Sequence, residues 1–229
     1  MATKEKDTNK ELEVEEIVSK SEQFIENNSK KIIYGIIAIA LVVGAVFGIK
    51  HGYLIPKEKE AAAAMFKGEQ YFARDSFNLA LNGNGADYEG FETIISKYGS
   101  TPSGNLAKAY AGICYFNLGD TEKAIDLLKS YSGGDDMISP AITGLIGDCY
   151  VNMGKVKEGI SYFEKAAKEA DNEVISPTYL KKAGLAYEDL KQYKDAVKAY
   201  STIKEKYFNS MEASDIDKYI TRASVLGNK

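Results

Sequence analysis

The sequence lacks tryptophan and contains only four prolines, two cysteines and one histidine in 229 residues. So few prolines, together with abundant alanine, lysine, tyrosine and glutamate, disfavour a turn-rich sandwich or barrel and favour an all-α fold. Two cysteines are too few for a disulfide framework or a cysteine-based zinc site. The net charge is -4 and no block of basic residues exists, which argues against partners such as nucleic acid or anionic lipid.

Motifs of common enzyme chemistry are also missing from the sequence. It contains no G-x-x-x-x-G-K-[ST] phosphate loop, no H-E-x-x-H zinc motif and no G-x-S-x-G nucleophile elbow. The single histidine, His51, lies at the end of an apolar run, and Asp135 and Asp136 follow two glycines, as in a solvated loop. We therefore predict a protein that is not an enzyme, with no catalytic residue, cofactor, metal site or small-molecule substrate.

One long hydrophobic run is present between Lys31 and Lys50, with the sequence IIYGIIAIALVVGAVFGI. At 1.5 Å per residue it crosses most of a hydrocarbon core of about 30 Å, so it predicts a transmembrane helix over 32–49. A buried core helix and a signal peptide are the alternatives, but a signal peptide does not follow a long acidic tail. Lysines flank the run on both sides, so charge alone does not decide its orientation.

Small residues recur every four positions within this run, at Ala40, Gly44 and Gly48. Such a stripe lets a second helix approach closely, so we predict a membrane helix contact there. The alternative is that these small residues make no specific contact, because glycine and alanine are common in membrane helices.

The tail at 1–31 contains an acidic stretch in which one helical face is mostly apolar. That face comprises Val14, Ile17, Val18, Ser21, Phe24 and Ile25. The pattern predicts an amphipathic helix. This helix either docks on a partner protein or has no binding role, and the sequence favours neither.

A repeat follows the apolar run. The segments GICYFNLGDTEKAIDLL from Gly112, GDCYVNMGKVKEGISYF from Gly147 and GLAYEDLKQYKDAVKAY from Gly184 align, spaced by 35 and 37 residues. Each unit has a tyrosine three residues after its glycine, then a small residue, an aliphatic residue and a bulky residue. The positions are Tyr115, Tyr150 and Tyr187; Ala124, Gly159 and Ala196; Ile125, Ile160 and Val197; and Leu128, Phe163 and Tyr200.

This pattern predicts helical hairpins in which small residues allow two helices to pack tightly, while bulky residues fill the gap to the next hairpin. Gly119, Gly154 and Lys191 fall at the turn between the helices of each unit. The pattern resembles the tetratricopeptide repeat. Cys114 and Cys149 occupy equivalent positions on successive hairpins, about a helix-packing distance apart, and are predicted to be buried free thiols.

The predicted organisation is a single N-terminal transmembrane helix followed by a tetratricopeptide-repeat-like helical solenoid. The segments 57–81 and 87–99 precede the clear repeats and are predicted to form a further, divergent pair, in which Gly68 and Tyr71 repeat the glycine and tyrosine spacing. They are interpreted as one long helix over 57–81 and a capping unit. NGNG at 82–85 is predicted to be a turn, and Ser214 to Lys229 a capping helix. The parts are the tail (1–31), the span (32–49), the connecting helix with the divergent repeat (50–104), and three repeats with the cap (105–229).

Solenoids of this kind bind partners through the inner face of the first helix of each hairpin. The residues predicted to line such a protein-binding groove are Tyr110, Ile113, Phe116, Asn117, Leu145, Asp148, Val151, Asn152, Lys182, Leu185 and Glu188. Some of them are alternatively expected to pack within the superhelix. Ile113, Asp148 and Leu185 follow the repeat glycines, where chaperone-binding repeats carry asparagine, so a carboxylate clamp is disfavoured.

The order of parts resembles that of the YfgM-like ancillary subunits of the Sec translocon. Segments such as FARDSFNLALNG, NLAKAYAGICYFNLG and SPTYLKKAGLAYE are similar to those of tetratricopeptide proteins of Bacteroidota. The resemblance implies a bacterial inner-membrane protein with a cytoplasmic N-terminus and periplasmic repeats. Its implied partners are translocon channel subunits, periplasmic folding factors and unfolded clients. The implied role is to hold these proteins, with no covalent reaction. The alternative is a cytosol-facing tetratricopeptide receptor or an assembly factor for another membrane complex.

Overall fold

The computed structural model describes residues 27–228, and these residues divide between two units, Met1–Pro56 and Lys57–Lys229. The apolar residues of the predicted amphipathic helix in the tail lie outside the described residues. We describe each unit by itself.

The described part of the first unit is helical. Helix α1 (27–49) continues through a π-helical segment, Lys50–Leu54, into α2 (Ile55–Phe72). The whole helical run, Asn27–Phe72, is long and apolar enough to cross a membrane, and the apolar part of it is entirely exposed in the structure. His51 at the end of the apolar part stacks on Phe47 and contacts its carbonyl oxygen at 3.1 Å.

All regular elements in the described residues of the second unit are helices. After α2 come α3 (Phe77–Asn82), α4 (Phe91–Tyr98), α5 (Pro102–Leu118), α6 (Thr121–Ser130), α7 (Ile138–Asn152), α8 (Val156–Ala170), α9 (Ile175–Asp189), α10 (Tyr193–Lys206), a 3-10 turn (Glu212–Asp215) and α11 (Ile216–Gly227). Consecutive helices pack on one another along the chain, so α5/α6, α7/α8 and α9/α10 are three successive hairpins. The predicted all-α solenoid is confirmed.

The predicted single helix over 57–81 is wrong, because α2 ends at Phe72 and α3 starts at Phe77. Asp75 between them adopts a left-handed conformation with φ 55°, and the Ser76 amide donates to the Tyr71 carbonyl oxygen. The ring of Phe77 meets that of Phe72 edge to face at 5.7 Å. Beyond this turn α3 packs against α4 and α5.

The turns within the three hairpins lie where the repeat pattern predicts them. Gly119 and Gly154 have φ values of 88° and 74°, and Lys191, at the third equivalent position, has φ 58°. A left-handed residue ends a helix by redirecting its last amides to carbonyl groups of the final turn. The next helix starts at once, with Asp120 as N-cap of α6 and Lys155 as N-cap of α8.

Each repeat glycine faces the bulky residue of its own hairpin. A Cβ atom on Gly112 would lie 2.7 Å from the Leu128 side chain, and one on Gly184 would overlap the Tyr200 ring. Gly68 in α2 faces Phe91 of α4 in the same way, although α3 is inserted between those two helices. The absent side chains let the two helices of each hairpin approach closely.

The repeat tyrosines join each hairpin to the one before it. The hydroxyl of Tyr115 donates to Glu92 of α4, and the hydroxyl of Tyr187 donates to Glu164 of α8 at 2.7 Å. The Tyr150 hydroxyl accepts from Lys129 of α6, also at 2.7 Å. The tyrosine position in the sequence pattern therefore carries the contact between hairpins.

Helix α11 packs on α10 after the last hairpin. Ile216 and Ala223 are buried against α10, and Tyr219 and Ile220 pack beside them. Cys114 and Cys149 are both free and completely buried, which confirms the prediction for the two thiols.

Candidate protein-binding groove

The predicted groove residues lie on α5, α7 and α9, the first helices of the three hairpins. None of them belongs to the fully buried core, but most are only partly exposed. Their contacts separate them into residues that hold the repeats together and residues that a partner can reach.

Tyr110 at the start of the row packs inside the first hairpins. Its ring stacks on Phe91 with a centroid distance of 5.2 Å and meets Phe72 edge to face at 4.9 Å. Burial raises the pKa of its hydroxyl. This side chain joins α5 to α2 and α4.

Val151 contacts the other helix of its own hairpin. A Cβ atom on Gly159 of α8 would lie 2.5 Å from a methyl carbon of Val151. A charged residue at position 151 would therefore be forced against α8. For this reason Val151 is a poor position at which to test partner binding.

Glu188 at the end of α9 is held by two neighbouring helices. Its carboxylate accepts two hydrogen bonds from the Arg222 guanidinium of α11, at 2.8 and 2.9 Å, and one from the Tyr200 hydroxyl of α10 at 2.7 Å. The Glu188 side chain is only 13% exposed. Burial and the bond to Glu188 raise the pKa of the Tyr200 hydroxyl.

Asp148 and Lys182 form an ion pair between α7 and α9, with N–O distances of 2.7 and 2.9 Å. The ammonium group also lies over the ring of Tyr179 at 5.4 Å. Because Asp148 already neutralises Lys182, this lysine is not arranged to receive the carboxylate of a bound peptide.

The remaining residues of the row form the accessible surface. Asn117, Asn152 and Leu185 are exposed, and Ile113, Phe116 and Leu145 are half-buried apolar side chains packed against the core. The amide of Asn117 donates to its own helix, at the Ile113 carbonyl oxygen. We call these six residues the inner row. The inner row offers a partner apolar side chains and the side-chain amides of Asn117 and Asn152. The neutralised ion pair of Asp148 and Lys182 belongs to the same helices.

The structure also contains a cleft that the sequence did not predict. It has a volume of about 450 Å³ and lies between α6, α7, α8 and the connection 131–137. The cleft exists because α6 ends at Ser130 after 10 residues, whereas its counterpart α8 has 15. Its lining is mostly polar and includes Lys129, Tyr131, Asp135, Tyr162, Lys165 and Glu169. The glycine pair at 133–134 was the available sign that α6 ends early.

The predicted helix-contact stripe lies on α1. Ala40, Gly44 and Gly48 are exposed, and a Cβ atom added at Gly44 or Gly48 would meet no other atom within 4 Å. The stripe is therefore open in the described chain.

Family comparisons agree with the geometry of the hairpins. Models of the tetratricopeptide repeat match residues 144–173, which include most of α7 and all of α8, and residues 110–132 and 180–210. No curated protein sequence matches the chain. The three hairpins match the tetratricopeptide repeat, a fold that typically serves as a non-catalytic scaffold for protein interactions.

Two solved structures are similar to much of the chain. A putative kinesin light chain of Podosopora anserina with nearly identical TPR-like repeats is 13% identical, with a TM-score of 0.55, and the match covers 74% of this chain and 87% of the other. The MamA protein is 17% identical, with a TM-score of 0.51, and the match covers 74% and 92%. At this identity the likeness establishes the fold alone.

Proposed function

We propose that this protein is a membrane-anchored protein-binding scaffold and an ancillary subunit of the bacterial Sec translocon. The observation that supports the proposal is an exposed apolar helix, 27–49, that is followed along the chain by tetratricopeptide repeats. The anchor holds the repeats at a membrane, and the repeats bind protein. The order of parts, which resembles that of YfgM-like subunits, supports the translocon as the membrane complex.

In the proposed orientation the N-terminus is cytoplasmic and the repeats are periplasmic. The partners are channel subunits, periplasmic folding factors and unfolded clients, which the inner row binds as extended or helical segments through apolar contacts. Leu185 is the exposed apolar residue of the inner row, at 43% exposure. The predicted contact of Ala40, Gly44 and Gly48 with a second membrane helix would hold the protein beside the channel.

Site-specific crosslinking in cells tests the partner and the surface together. A photoreactive amino acid replaces Leu185 or Asn152 on the inner row, and as a control it replaces the exposed Lys198 on α10. We expect crosslinks to channel subunits or exported polypeptides from the inner row and none from position 198. Equal crosslinking from all three positions would reject the inner row, and crosslinks to an unrelated membrane complex would reject the Sec assignment.

A protease test addresses the orientation. The outer membrane of cells is permeabilised, protease is added, and the fate of the repeats is followed. We expect digestion of the repeats, with the purified protein as a control for cleavability. Protection that is lost only after the inner membrane is lysed would place the repeats in the cytoplasm and reject the periplasmic orientation.

A further inference from the structure

Connections between the repeats lie along one edge of the second unit. We call the segments 131–137, 171–174 and 207–211 the loop edge, and the turns at Gly119, Gly154 and Lys191 the turn edge. The connections join the end of one hairpin to the start of the next element, so they lie at the opposite ends of the helices from the turns.

A series of hydrogen bonds links the segments of the loop edge. The Asn105 side chain in the first turn of α5 exchanges two hydrogen bonds with the backbone of Ser132, at 2.7 and 3.1 Å. The Asn172 amide donates to the Asp136 carbonyl oxygen at 3.2 Å. Asp171 accepts from the Tyr207 hydroxyl at 2.8 Å. The loop edge is therefore a continuous structure rather than a set of independent loops.

The chain enters the second unit at this same edge. The Glu58 carboxylate, one residue after the unit begins at Lys57, accepts from the Ser103 amide at 3.0 Å and from its hydroxyl at 2.6 Å. Ser103 and Asn105 share the first turn of α5. The start of the second unit is thus hydrogen-bonded to the first turn of α5, and the same turn is bonded through Asn105 to Ser132 of the loop edge.

Large apolar side chains are exposed along the loop edge. Phe208 is 67% exposed, Met211 89% and Val174 62%, and Met137 and the adjoining Ile138 are each 48% exposed. Among the turn residues and their immediate neighbours, Leu118 is the large apolar side chain exposed to a similar degree, at 47%. The loop edge therefore exposes more large apolar side chains than the turn edge does.

We propose that the loop edge lies against the membrane surface and that its apolar side chains enter the headgroup region. This inference rests on the membrane anchor of the proposed function. The segment 50–57, which joins the predicted span to the second unit, is only about 12 Å long as a helix. A bilayer adds about 5 to 8 Å of interfacial region on each side of its hydrocarbon core, so the entry of the chain into the second unit is close to the headgroup region.

The charge of the loop edge indicates which kind of lipid surface it would contact. Its three segments contain Asp135, Asp136, Asp171 and Glu173 and no basic residue. Acidic groups are repelled by an anionic surface, so a zwitterionic surface is the favoured one. Apolar side chains held at an interface, rather than electrostatic attraction, supply the contact.

Fluorescence quenching of the full-length protein in vesicles tests the proposal. Single reporters are attached at Met211→Cys and Phe208→Cys on the loop edge, at Leu118→Cys on the turn edge and at Val43→Cys in α1. Buried Cys114 and Cys149 leave the introduced thiol as the accessible one. The vesicles contain phosphatidylcholine and phosphatidylethanolamine, with a doxyl-labelled phosphatidylcholine as the lipid quencher.

We expect doxyl lipid to quench the reporters at 208, 211 and 43 and to leave the reporter at 118 unquenched. Replacing part of the lipid with phosphatidylglycerol should reduce quenching at 211 but not at 43. Val174→Ser combined with Phe208→Ser should also reduce quenching at 211. Both side chains are exposed, so circular dichroism and melting should not change.

Quenching at 43 with none at 208 or 211 would overturn the loop-edge proposal and leave the anchor intact. No quenching at 43 would overturn the anchor, and the loop-edge proposal with it. The reporter at 211 could also be protected from aqueous iodide and yet not be quenched by doxyl lipid. That result would mean that protein rather than lipid covers the edge, and it would also overturn the proposal.

Discussion

Gly147 of α7 lies directly against the ring of Phe163 in α8. A Cβ atom at position 147 would be 2.6 Å from two carbons of that ring and 3.0 Å from the carbonyl oxygen of Gly159. The same relationship joins Gly112 to Leu128 and Gly184 to Tyr200. The glycine of each repeat is thus required for the close approach of two helices, not for a special backbone conformation.

Gly147→Ala should destabilise the protein by about 1 to 3 kcal/mol, because the added methyl group overpacks a helix contact that includes backbone atoms. Denaturant unfolding of the full-length protein in detergent measures the change. Gly134→Ala is the matched control, since its Cβ would meet no atom within 4 Å. Equal stability of the two variants would contradict the glycine and aromatic pairing.

Glu188→Ala should cost about 1 to 3 kcal/mol, because it leaves the hydroxyl of the buried Tyr200 and the Arg222 guanidinium without their acceptor. Lys204→Ala provides the comparison. Lys204 pairs with Asp217, but both side chains are more than half exposed, so its loss should cost less than about 1 kcal/mol. Thermal or denaturant unfolding compares the two, and a smaller effect at Glu188 than at Lys204 would disprove the bridging role.

Cys114 and Cys149 should react with thiol reagents only when the repeats open. Burial raises the pKa of the Cys114 thiol to about 12 and that of Cys149 to about 11, so the reactive thiolate is scarce at neutral pH. In the folded protein we expect both thiols to be labelled far more slowly than the exposed thiol of a Leu118→Cys variant. In denaturant all three thiols should be labelled at the same rate. Rapid labelling of the folded wild type would show that the hairpins are less closed than described.

Asp135 should contribute stability that disappears in acid. Its carboxylate accepts from the amides of Met137, at 2.9 Å, and Ile138, and these bonds lower its pKa from 3.8 to about 2. A carboxylate with a lowered pKa stabilises the fold fully above its unfolded value, and this contribution is lost as the pH falls through the folded value.

The melting temperatures of wild type and Asp135→Asn should therefore differ at neutral pH and converge between pH values of about 3.8 and about 2. Asp136→Asn removes a charge from the same connection without removing this helix cap. A difference between wild type and Asp135→Asn that persists below a pH of about 2 would refute the assignment.

The repeats could be predicted from the sequence because their requirements are local. A hairpin places Gly112 against Leu128, and a helix end needs a left-handed residue at Gly119, so both demands recur at fixed spacing. Even Lys191 could be placed at a turn from its position alone, although lysine rarely adopts a φ of 58°.

Other features depend on contacts that no short pattern contains. The left-handed residue that follows α2 is Asp75 and not a glycine, so nothing in the sequence marked the end of α2 at Phe72. Of the predicted groove residues, Val151 and Glu188 belong to the packing between helices. The Glu188 contact joins residues 34 positions apart, and only the docked α11 brings them together.

The three hairpins share one pattern, yet they are not interchangeable. Leu128, Phe163 and Tyr200 occupy the same position, but only Tyr200 carries a hydroxyl, and Glu188, which accepts from it, is itself bound by Arg222 of α11. A copy of the third hairpin inserted within the stack would bury a tyrosine and a glutamate without that arginine. Lengthening of such a stack by duplication would accordingly favour the second hairpin, whose buried pair of Gly147 and Phe163 needs no polar partner. The third hairpin therefore requires α11 beside it.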